Sequence, residues 1–162
     1  MMIFLSWVIL DQGVHAVYLH ALHENCSGCR TCLLACALEN FQQVRPSLAV
    51  LRIQGLFPSP GRYHIHLCDQ CGTCAEVCPV GAITWKSGVY RVNQETCTQC
   101  LECVQACPFG VICYHPDLEA PFKCVLCGAC VQACPREAIV LIDEPTKGEV
   151  ACCMAMPGRS SG

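Results

Sequence analysis

The chain has 162 residues, of which 53% are hydrophobic, 14% are charged and 19 are cysteine, and its formal net charge is −3. This length predicts one domain or two very small ones. The acidic balance disfavours nucleic acid as a partner, because nucleic-acid binding requires a basic surface. Since cysteine is counted among the hydrophobic residues, we expect bound groups to replace much of the apolar core.

The chain begins with an apolar segment, Met1 to Leu10. It is too short to span a bilayer, and it lacks the basic flank and the cleavage site of a signal peptide. We therefore interpret residues 1–13 as an apolar N-terminal extension, either a strand over the domain or a hook for a partner. No membrane span is expected.

The next segment, Val14 to Leu22, alternates in a way that predicts a strand. Several histidines lie here and before the second cysteine motif, and imidazole does replace thiolate in Rieske centres. Because every motif described below already has four cysteines, solvent-facing strand positions are the preferred interpretation of these histidines. They include His15, His20, His23, His64 and His66.

Four cysteine motifs with the spacing C-x2-C-x2-C-x3-C follow, and they contain sixteen of the 19 cysteines. The motifs are Cys26, Cys29, Cys32 and Cys36; Cys68, Cys71, Cys74 and Cys78; Cys97, Cys100, Cys103 and Cys107; and Cys124, Cys127, Cys130 and Cys134.

This spacing is typical of the ligands of 4Fe–4S clusters. Each of the four irons needs one thiolate, and three cysteines at i, i+3 and i+6 let a short loop wrap three irons, with its N–H groups turned toward the sulfides. The fourth cysteine leaves in a helical turn and ligates the other cluster in two-cluster ferredoxins. Zinc sites use two cysteine pairs with a longer spacer, and disulfides suit secreted chains. The sequence therefore predicts four 4Fe–4S clusters.

The residue after the fourth cysteine distinguishes the first motif from the others. Pro79, Pro108 and Pro135 follow the fourth cysteine of the later motifs, where proline ends a helical turn because it has no N–H. Ala37 takes this position in the first motif, so a helix is predicted over Leu33 to Phe41.

Short strands are predicted between the motifs. Two of them flank a Pro/Gly turn, Gly55 to Gly61, and form a ribbon that is either a partner-binding element or a cover over a cluster. Two others form a hairpin between the second and third motifs. The predicted strands are Leu48 to Ile53, Arg62 to Leu67, Ala82 to Trp85, Val89 to Val92, Val111 to Tyr114 and Ala138 to Ile142.

Residues 143–162 are rich in Pro, Gly and Ser and predict a tail that is flexible or lies over a partner. Three cysteines lie outside the motifs. Cys113 is interpreted as a buried apolar residue near a cluster. Cys152 and Cys153 are adjacent, which disfavours their binding one ion together, so we interpret them as an unliganded pair.

The intervals between motifs indicate how they pair. The second and third motifs resemble a complete two-cluster unit, which leaves the first and fourth to pair around it. The predicted fold is α+β, with tandem or nested bacterial ferredoxin-like modules of short helices and β-hairpins over residues 14–142. Module A contains the motifs at 26–36 and 124–134, and module B those at 68–78 and 97–107. Sequential pairing, first with second and third with fourth, is the alternative.

Nesting assigns three cysteines of one motif and the fourth cysteine of its partner to each cluster. The four sets are Cys26, Cys29, Cys32 and Cys134; Cys124, Cys127, Cys130 and Cys36; Cys68, Cys71, Cys74 and Cys107; and Cys97, Cys100, Cys103 and Cys78.

The first motif, Cys26-Ser27-Gly28-Cys29-Arg30-Thr31-Cys32 through Cys36-Ala37, resembles that of four-cluster ferredoxin-like electron-transfer subunits of anaerobic oxidoreductases. The resemblance covers about Leu22 to Ile142. Leu56 to Arg62 and Pro116 to Cys124 resemble the small iron–sulfur subunit of tungsten-containing aldehyde oxidoreductase complexes. Related subunits serve CO dehydrogenase, hydrogenase, formate dehydrogenase and benzoyl-CoA reductase complexes. The resemblance implies a larger catalytic partner that holds a tungsten or molybdenum pterin.

The residues themselves predict an electron conduit and not an enzyme, because the sequence shows no nucleophile, phosphate loop or carboxylate pair. The alternatives are a free polyferredoxin shuttle and an enzyme subunit in which an incompletely ligated cluster catalyses. Because all sixteen cysteine ligands are present, an incompletely ligated catalytic cluster is disfavoured. The apolar N-terminus favours a stable complex, with further copies of this chain as possible neighbours. Dense thiolate-ligated clusters predict an anaerobic cytoplasm.

Overall fold

The fold consists of short helices and three two-stranded antiparallel sheets, which agrees with the predicted α+β class. A computed structural model describes residues 16–144, so the N-terminal extension, His15 and most of the tail, with Cys152 and Cys153, lie outside the described residues. The elements are β1 (Ala16–Ala21), α1 (Thr31–Phe41), β2 (Arg52–Gly55), β3 (Tyr63–His66), α2 (Thr73–Glu76), β4 (Ile83–Lys86), β5 (Val89–Val92), α3 (Glu102–Ala106), α4 (Ala129–Gln132) and β6 (Ile139–Glu144).

The sheets differ in how far apart their strands lie in the sequence. β2 pairs with β3 and β4 with β5 as local hairpins. β1 pairs with β6 from Ala16–Glu144 to Ala21–Ile139, which joins the two ends of the described chain. Because β1 leads into the first motif and β6 follows the fourth, this sheet brings those two motifs together.

The longest helix is α1, whose eleven residues contain both the third and the fourth cysteine of the first motif. The other three helices have four or five residues, contain only the third cysteine, and end before a Cys-Pro step. The predicted helix from Leu33 is confirmed and begins two residues earlier, at Thr31. Alanine in place of proline keeps the backbone N–H that a continuing helix requires.

Two strand predictions are wrong. The segment Leu48 to Leu51 is buried at every residue and not at alternate ones, and the strand begins only at Arg52, after a 3-10 turn at Pro46–Leu48. Near Val111 to Tyr114 there is a single bridge, between Cys113 and Phe122. It cannot lengthen into a strand because the chain beyond Phe122 enters the fourth cysteine loop. The other predicted strands are confirmed, with ends shifted by one or two residues.

The apolar core is divided unequally between the two modules. The larger group of buried residues surrounds α1, β6 and the turn that precedes β2. It includes Leu33, Leu48 and Ile139. The smaller group contains Ile83, Ile112 and two motif cysteines. In residues 16–144 no helix has the length and apolar character needed to cross a membrane.

Candidate iron–sulfur sites

The sixteen motif cysteines line four cavities. Each cavity is bordered by three cysteines of one motif and the fourth cysteine of another, in the grouping of the nested scheme. We name them site I (Cys26, Cys29, Cys32, Cys134), site II (Cys36, Cys124, Cys127, Cys130), site III (Cys68, Cys71, Cys74, Cys107) and site IV (Cys78, Cys97, Cys100, Cys103). Ligation of clusters by these sets remains a prediction.

Each cysteine loop has the same unusual backbone. The residues on both sides of the second cysteine adopt positive φ, which costs a non-glycine residue about 1–2 kcal/mol. This geometry recurs in all four loops: Gly28 (71°) and Arg30 (61°), Gln70 (60°) and Gly72 (87°), Gln99 (57°) and Leu101 (63°), and Leu126 (55°) and Gly128 (78°).

The loop conformation fits a bound anionic group. Alternation of right- and left-handed residues turns successive N–H groups into one concavity, which binds anions. The donor set fits as well, because four thiolates are the ligands of a 4Fe–4S cluster. Strained residues persist where the surrounding structure or a ligand requires them. Among the described residues, no three His, Cys, Asp or Glu side chains are grouped to hold a single metal ion.

In two of the three proline-containing motifs the fourth cysteine accepts a hydrogen bond from a backbone N–H. The N–H of Ala82 donates to Cys78 Sγ at 3.3 Å, and that of Ala138 donates to Cys134 Sγ at 3.2 Å. Such bonds stabilise a thiolate and adjust the potential of the group it binds. Cys36 lies inside α1 instead, where the side-chain amide of Asn40 is 3.8 Å from its sulfur.

Each site is buried on one side and reaches the surface on another. Burial, followed by the charges of neighbouring thiolates, raises the pKa of Cys32 and Cys130 to about 12. A set of thiolates at such positions requires cations to compensate it, and iron would supply them. The second cysteine of every motif is exposed: Cys29, Cys71, Cys100 and Cys127.

The sites follow one another in the order I, II, III, IV. The nearby thiolate of Cys32, in site I, is among the causes that raise the pKa of Cys130 in site II. Cys68 of site III also lines the cavity of site II. Cys103 of site IV similarly contributes to the raised pKa of Cys74 in site III. Each site therefore has the next one as a neighbour, and we call this succession of four sites a row. The step between the proposed modules A and B lies between sites II and III.

Two tyrosines cover glycines of the cysteine loops. A Cβ added to Gly28 would collide with the ring of Tyr63, and one added to Gly72 would lie 2.7 Å from the Tyr90 hydroxyl. Both tyrosines come from the hairpins, Tyr63 from β3 and Tyr90 from β5. Each module therefore has one loop in which glycine is required both by its positive φ and by a tyrosine packed against it.

The histidine prediction holds for His20, which is exposed on β1, and is wrong for His23, His64 and His66. His23 stacks on His64 with ring centroids 4.1 Å apart, and His64 meets His66 edge-on at 4.6 Å. These rings are half-buried because the alternation of β3 places His64 and His66 on one face, against the turn that carries His23. Nδ1 of His23 accepts a hydrogen bond from the N–H of Ile65.

Two buried polar residues were missed by sequence reasoning. Lys123 is 2% exposed and Gln70 is 7% exposed, and both line the cavity of site III. The sequence offered one signal for Lys123, which is its position after an apolar residue and immediately before the fourth motif. Cys113, by contrast, is confirmed as a buried residue outside the four sets, with its Sγ 3.4 Å from the Ser47 carbonyl oxygen.

Comparison with known families identifies the cysteine loops. Residues 67–111 and residues 96–139 each match a 4Fe–4S dicluster domain, and residues 23–39 match a 4Fe–4S binding domain. The chain carries 4Fe–4S-binding sequence in all four motifs. The number of clusters that the chain holds stays a prediction.

The curated relatives are iron–sulfur proteins. The polyferredoxin-like subunit of an aliphatic sulfonate oxidoreductase from Pyrococcus furiosus is 37% identical over 76 residues, which is 44% of this chain and 43% of that protein. Ferredoxin-1 of Rhodobacter capsulatus is 53% identical over 30 residues, 18% of this chain and 46% of that protein. The chain thus matches under half the length of each. These similarities support an iron–sulfur electron-transfer protein.

Among solved structures, the active-site complex BamBC of benzoyl-coenzyme A reductase is similar to this chain over 82% of each chain, at 18% identity and a TM-score of 0.46. A second structure of that complex, with 1,5-dienoyl-coenzyme A, has 20% identity and the same TM-score.

Proposed function

We propose that this chain is an electron-transfer subunit that relays single electrons through four 4Fe–4S clusters. The clusters would connect the catalytic subunit of a larger oxidoreductase with another redox partner. The observation that carries this proposal is the row of four cavities, each bordered by a complete set of four cysteines. A row of one-electron centres is useful for transport, whereas a single catalytic centre would need only one of them.

The ligands would be the four cysteines of sites I to IV, and the clusters would supply reversible one-electron reduction. The protein's own groups have three tasks. They bury the third cysteines, donate backbone N–H groups to the sulfurs of Cys78 and Cys134, and leave the second cysteines at the surface. Burial and N–H donation adjust the reduction potential of a cluster. Exposure of the second cysteine gives a redox partner a short path to that cluster.

We place the catalytic chemistry on a partner and not on this chain. Within residues 16–144 the cavities are lined by cysteines, apolar side chains and scattered polar ones such as Asn40, Asp69 and Lys123, and we find no activated nucleophile with a paired base among them. The resemblance to small subunits of tungsten enzymes supports a larger metal–pterin subunit that contains tungsten or molybdenum. The similarity to the polyferredoxin-like subunit of an aliphatic sulfonate oxidoreductase supports an oxidoreductase partner without indicating its metal.

An exposed ring at the tip of the β2–β3 hairpin supports a stable complex. Phe57 is 99% exposed and Leu56 is 43% exposed, in the turn of the ribbon that the sequence predicted to be either a partner-binding element or a cover over a cluster. Exposed aromatic residues of this kind are typical of protein interfaces. We propose that this turn, residues 1–13 and the tail 143–162 contact the catalytic subunit or another copy of the chain, in an anaerobic cytoplasm.

The test is anaerobic purification of the native complex, followed by analysis of iron, acid-labile sulfide, tungsten and molybdenum. Four sites predict about sixteen irons and sixteen sulfides per chain. Cys100→Ser, in site IV, should remove one cluster or convert it to a three-iron form, whereas Cys113→Ser, a matched control outside the sets, should leave the iron content unchanged. An iron content of about twelve in the unchanged protein would mean that one site is empty.

A free polyferredoxin shuttle is the second candidate, and the 53% identity to Ferredoxin-1 over 30 residues favours it. Size-exclusion chromatography of the anaerobically purified protein separates the two. Co-elution with a larger metal-containing subunit, weakened by deletion of residues 1–13 or by Phe57→Ser, supports the subunit. A monomer that elutes without a partner supports the shuttle.

A further inference from the structure

Lys123 has an unusual environment for a charged residue. Its side chain is 2% exposed, and Nζ donates to the side-chain oxygen of Gln70 at 2.6 Å and to the carbonyl oxygen of Tyr90 at 3.3 Å. The Tyr90 ring also lies beneath it, with Nζ 5.3 Å from the centroid. Among residues 16–144, Lys123 forms no ion pair with a carboxylate. A buried ammonium of this kind requires an anionic partner.

The thiolates of site III supply that partner. Lys123 lines the same cavity as Cys68, Cys74 and Cys107. Asp69 lines this cavity too, but it is exposed, so solvent screens its charge. Four thiolates around a 4Fe–4S core leave a net negative charge at the site, so the ammonium and the bound cluster would neutralise each other in a buried place.

Gln70 positions the ammonium. Its side-chain oxygen accepts hydrogen bonds from Lys123 and from the N–H of Tyr90, at 3.1 Å, and its amide donates to the carbonyl of Cys124 at 2.9 Å. Gln70 belongs to the loop of site III and Cys124 to site II. The contact therefore fixes the lysine at the junction of the two modules.

Among residues 16–144 the other three sites have no equivalent charge. None of the described lysines and arginines lines site II or site IV. Site I is lined by Arg30 and Arg136, but both are exposed, so solvent screens their charges. Site III alone thus combines a complete cysteine set with a buried cation.

We propose that Lys123 is a potential-determining residue whose fixed positive charge makes the cluster at site III the most easily reduced of the four. The inference rests on the proposed binding of clusters. Reduction adds one negative charge, which a buried cation at short range stabilises more than solvent-screened charges do. The first electron to enter the row would then reside at site III, beside the junction between the modules.

The experiment is an EPR-monitored redox titration of the anaerobic, fully loaded protein and of four variants. Lys123→Met and Lys123→Gln remove the charge, Lys123→Arg retains it, and Lys86→Met removes an exposed lysine of the same module. In the neutral variants we expect the equilibrium constant for reduction of one cluster to fall about tenfold, which is 59 mV for one electron. Lys123→Arg and Lys86→Met should leave all four transitions within a small fraction of that shift.

Iron analysis of every variant separates the possible failures. Four unchanged transitions in a neutral variant that retains its iron would overturn the inference, as would an equal shift in Lys123→Arg. If both neutral variants lose iron, retention of it by Lys123→Arg supports the need for charge, whereas loss from that variant too assigns Lys123 to packing and overturns the inference. An incomplete iron content in the unchanged protein would contradict the proposed function instead.

Discussion

The two modules that we propose from the cysteine motifs have equivalent cysteine sets in unequal surroundings. Module A packs α1, α4 and the β1–β6 sheet around a broad group of buried apolar residues, with Leu33, Leu48 and Ile139 among them. In module B the corresponding group contains Ile83 and Ile112 together with cysteines of sites III and IV. Much of what is buried in module B is therefore ligand and not hydrocarbon.

This difference indicates what stabilises each half of the chain. Buried apolar surface contributes about 25 cal/mol per Å², and small domains without enough of it depend on metals or disulfides. Module B has few apolar residues to bury and also buries a polar pair, Gln70 and Lys123, whose ammonium requires an anion beside it. Module A should retain some structure from its apolar contacts, and module B should depend on its clusters.

Removal of iron should have the largest effect, and it tests the difference between the modules most directly. We expect the chelated protein to lose its cooperative thermal transition, because cluster binding contributes to the free energy of folding. Amide protection against hydrogen exchange should vanish in β4 and β5 and persist in part in β1 and β6. Hydrogen exchange of the chelated protein, measured by mass spectrometry, reports this protection. Uniform protection across both modules would contradict the proposed difference in what stabilises them.

Truncation of a core residue in module A should come next. Leu48 is 1% exposed, so Leu48→Ala should destabilise the loaded protein by about 2–5 kcal/mol through lost burial and an unfilled cavity. Anaerobic thermal denaturation followed by circular dichroism measures this. The control is Leu38→Ala, since Leu38 is 48% exposed on α1 and its loss should change the midpoint little. Equal shifts for both variants would show that the core does not stabilise module A.

A glycine substitution tests how the modules hold their loops. Gly72→Ala introduces a Cβ 2.7 Å from the Tyr90 hydroxyl at a φ of 87°, and should destabilise the protein by about 1–2 kcal/mol from the backbone alone. Gly81→Ala, at a φ of 59° and with no atom within 4 Å, isolates the backbone effect. Adding Tyr90→Phe should recover part of the loss at Gly72 and none at Gly81. The thermal midpoint and the iron content are the measurements.

The smallest effect is expected at the surface. Arg45 and Asp117 form an exposed salt bridge at 2.9 Å, and the hydrogen bond from Arg45 lowers the pKa of Asp117. Because the folded pKa lies below the unfolded one, any stabilisation is present above the unfolded pKa and is lost as pH falls through the folded pKa. Asp117→Asn should leave the thermal midpoint at neutral pH unchanged within error. A clear decrease would mean that this contact stabilises the loop before the fourth motif.

Sequence reasoning predicted the features that depend on local rules. The cysteine spacing identified all four loops, and Ala37 predicted the longer helix because the effect of a missing proline is local. The buried run from Leu48 to Leu51 was misread as a strand because periodicity does not distinguish a fully buried turn from a strand. The pair formed by Gln70 and Lys123 was missed because its members are 53 residues apart and meet only in the folded chain.

The β1–β6 sheet has a consequence for biosynthesis. A ribosome delivers the chain from its N-terminus, and domains fold as their parts emerge. The eight cysteines of sites III and IV have all emerged with residue 107, whereas Lys123, which also lines site III, emerges later. Site I borders on Cys134, and β1 finds its partner only in β6. The first cysteine loop to be synthesised therefore needs a cysteine of the last loop to complete its site. Its thiols must stay reduced during most of the synthesis of the chain.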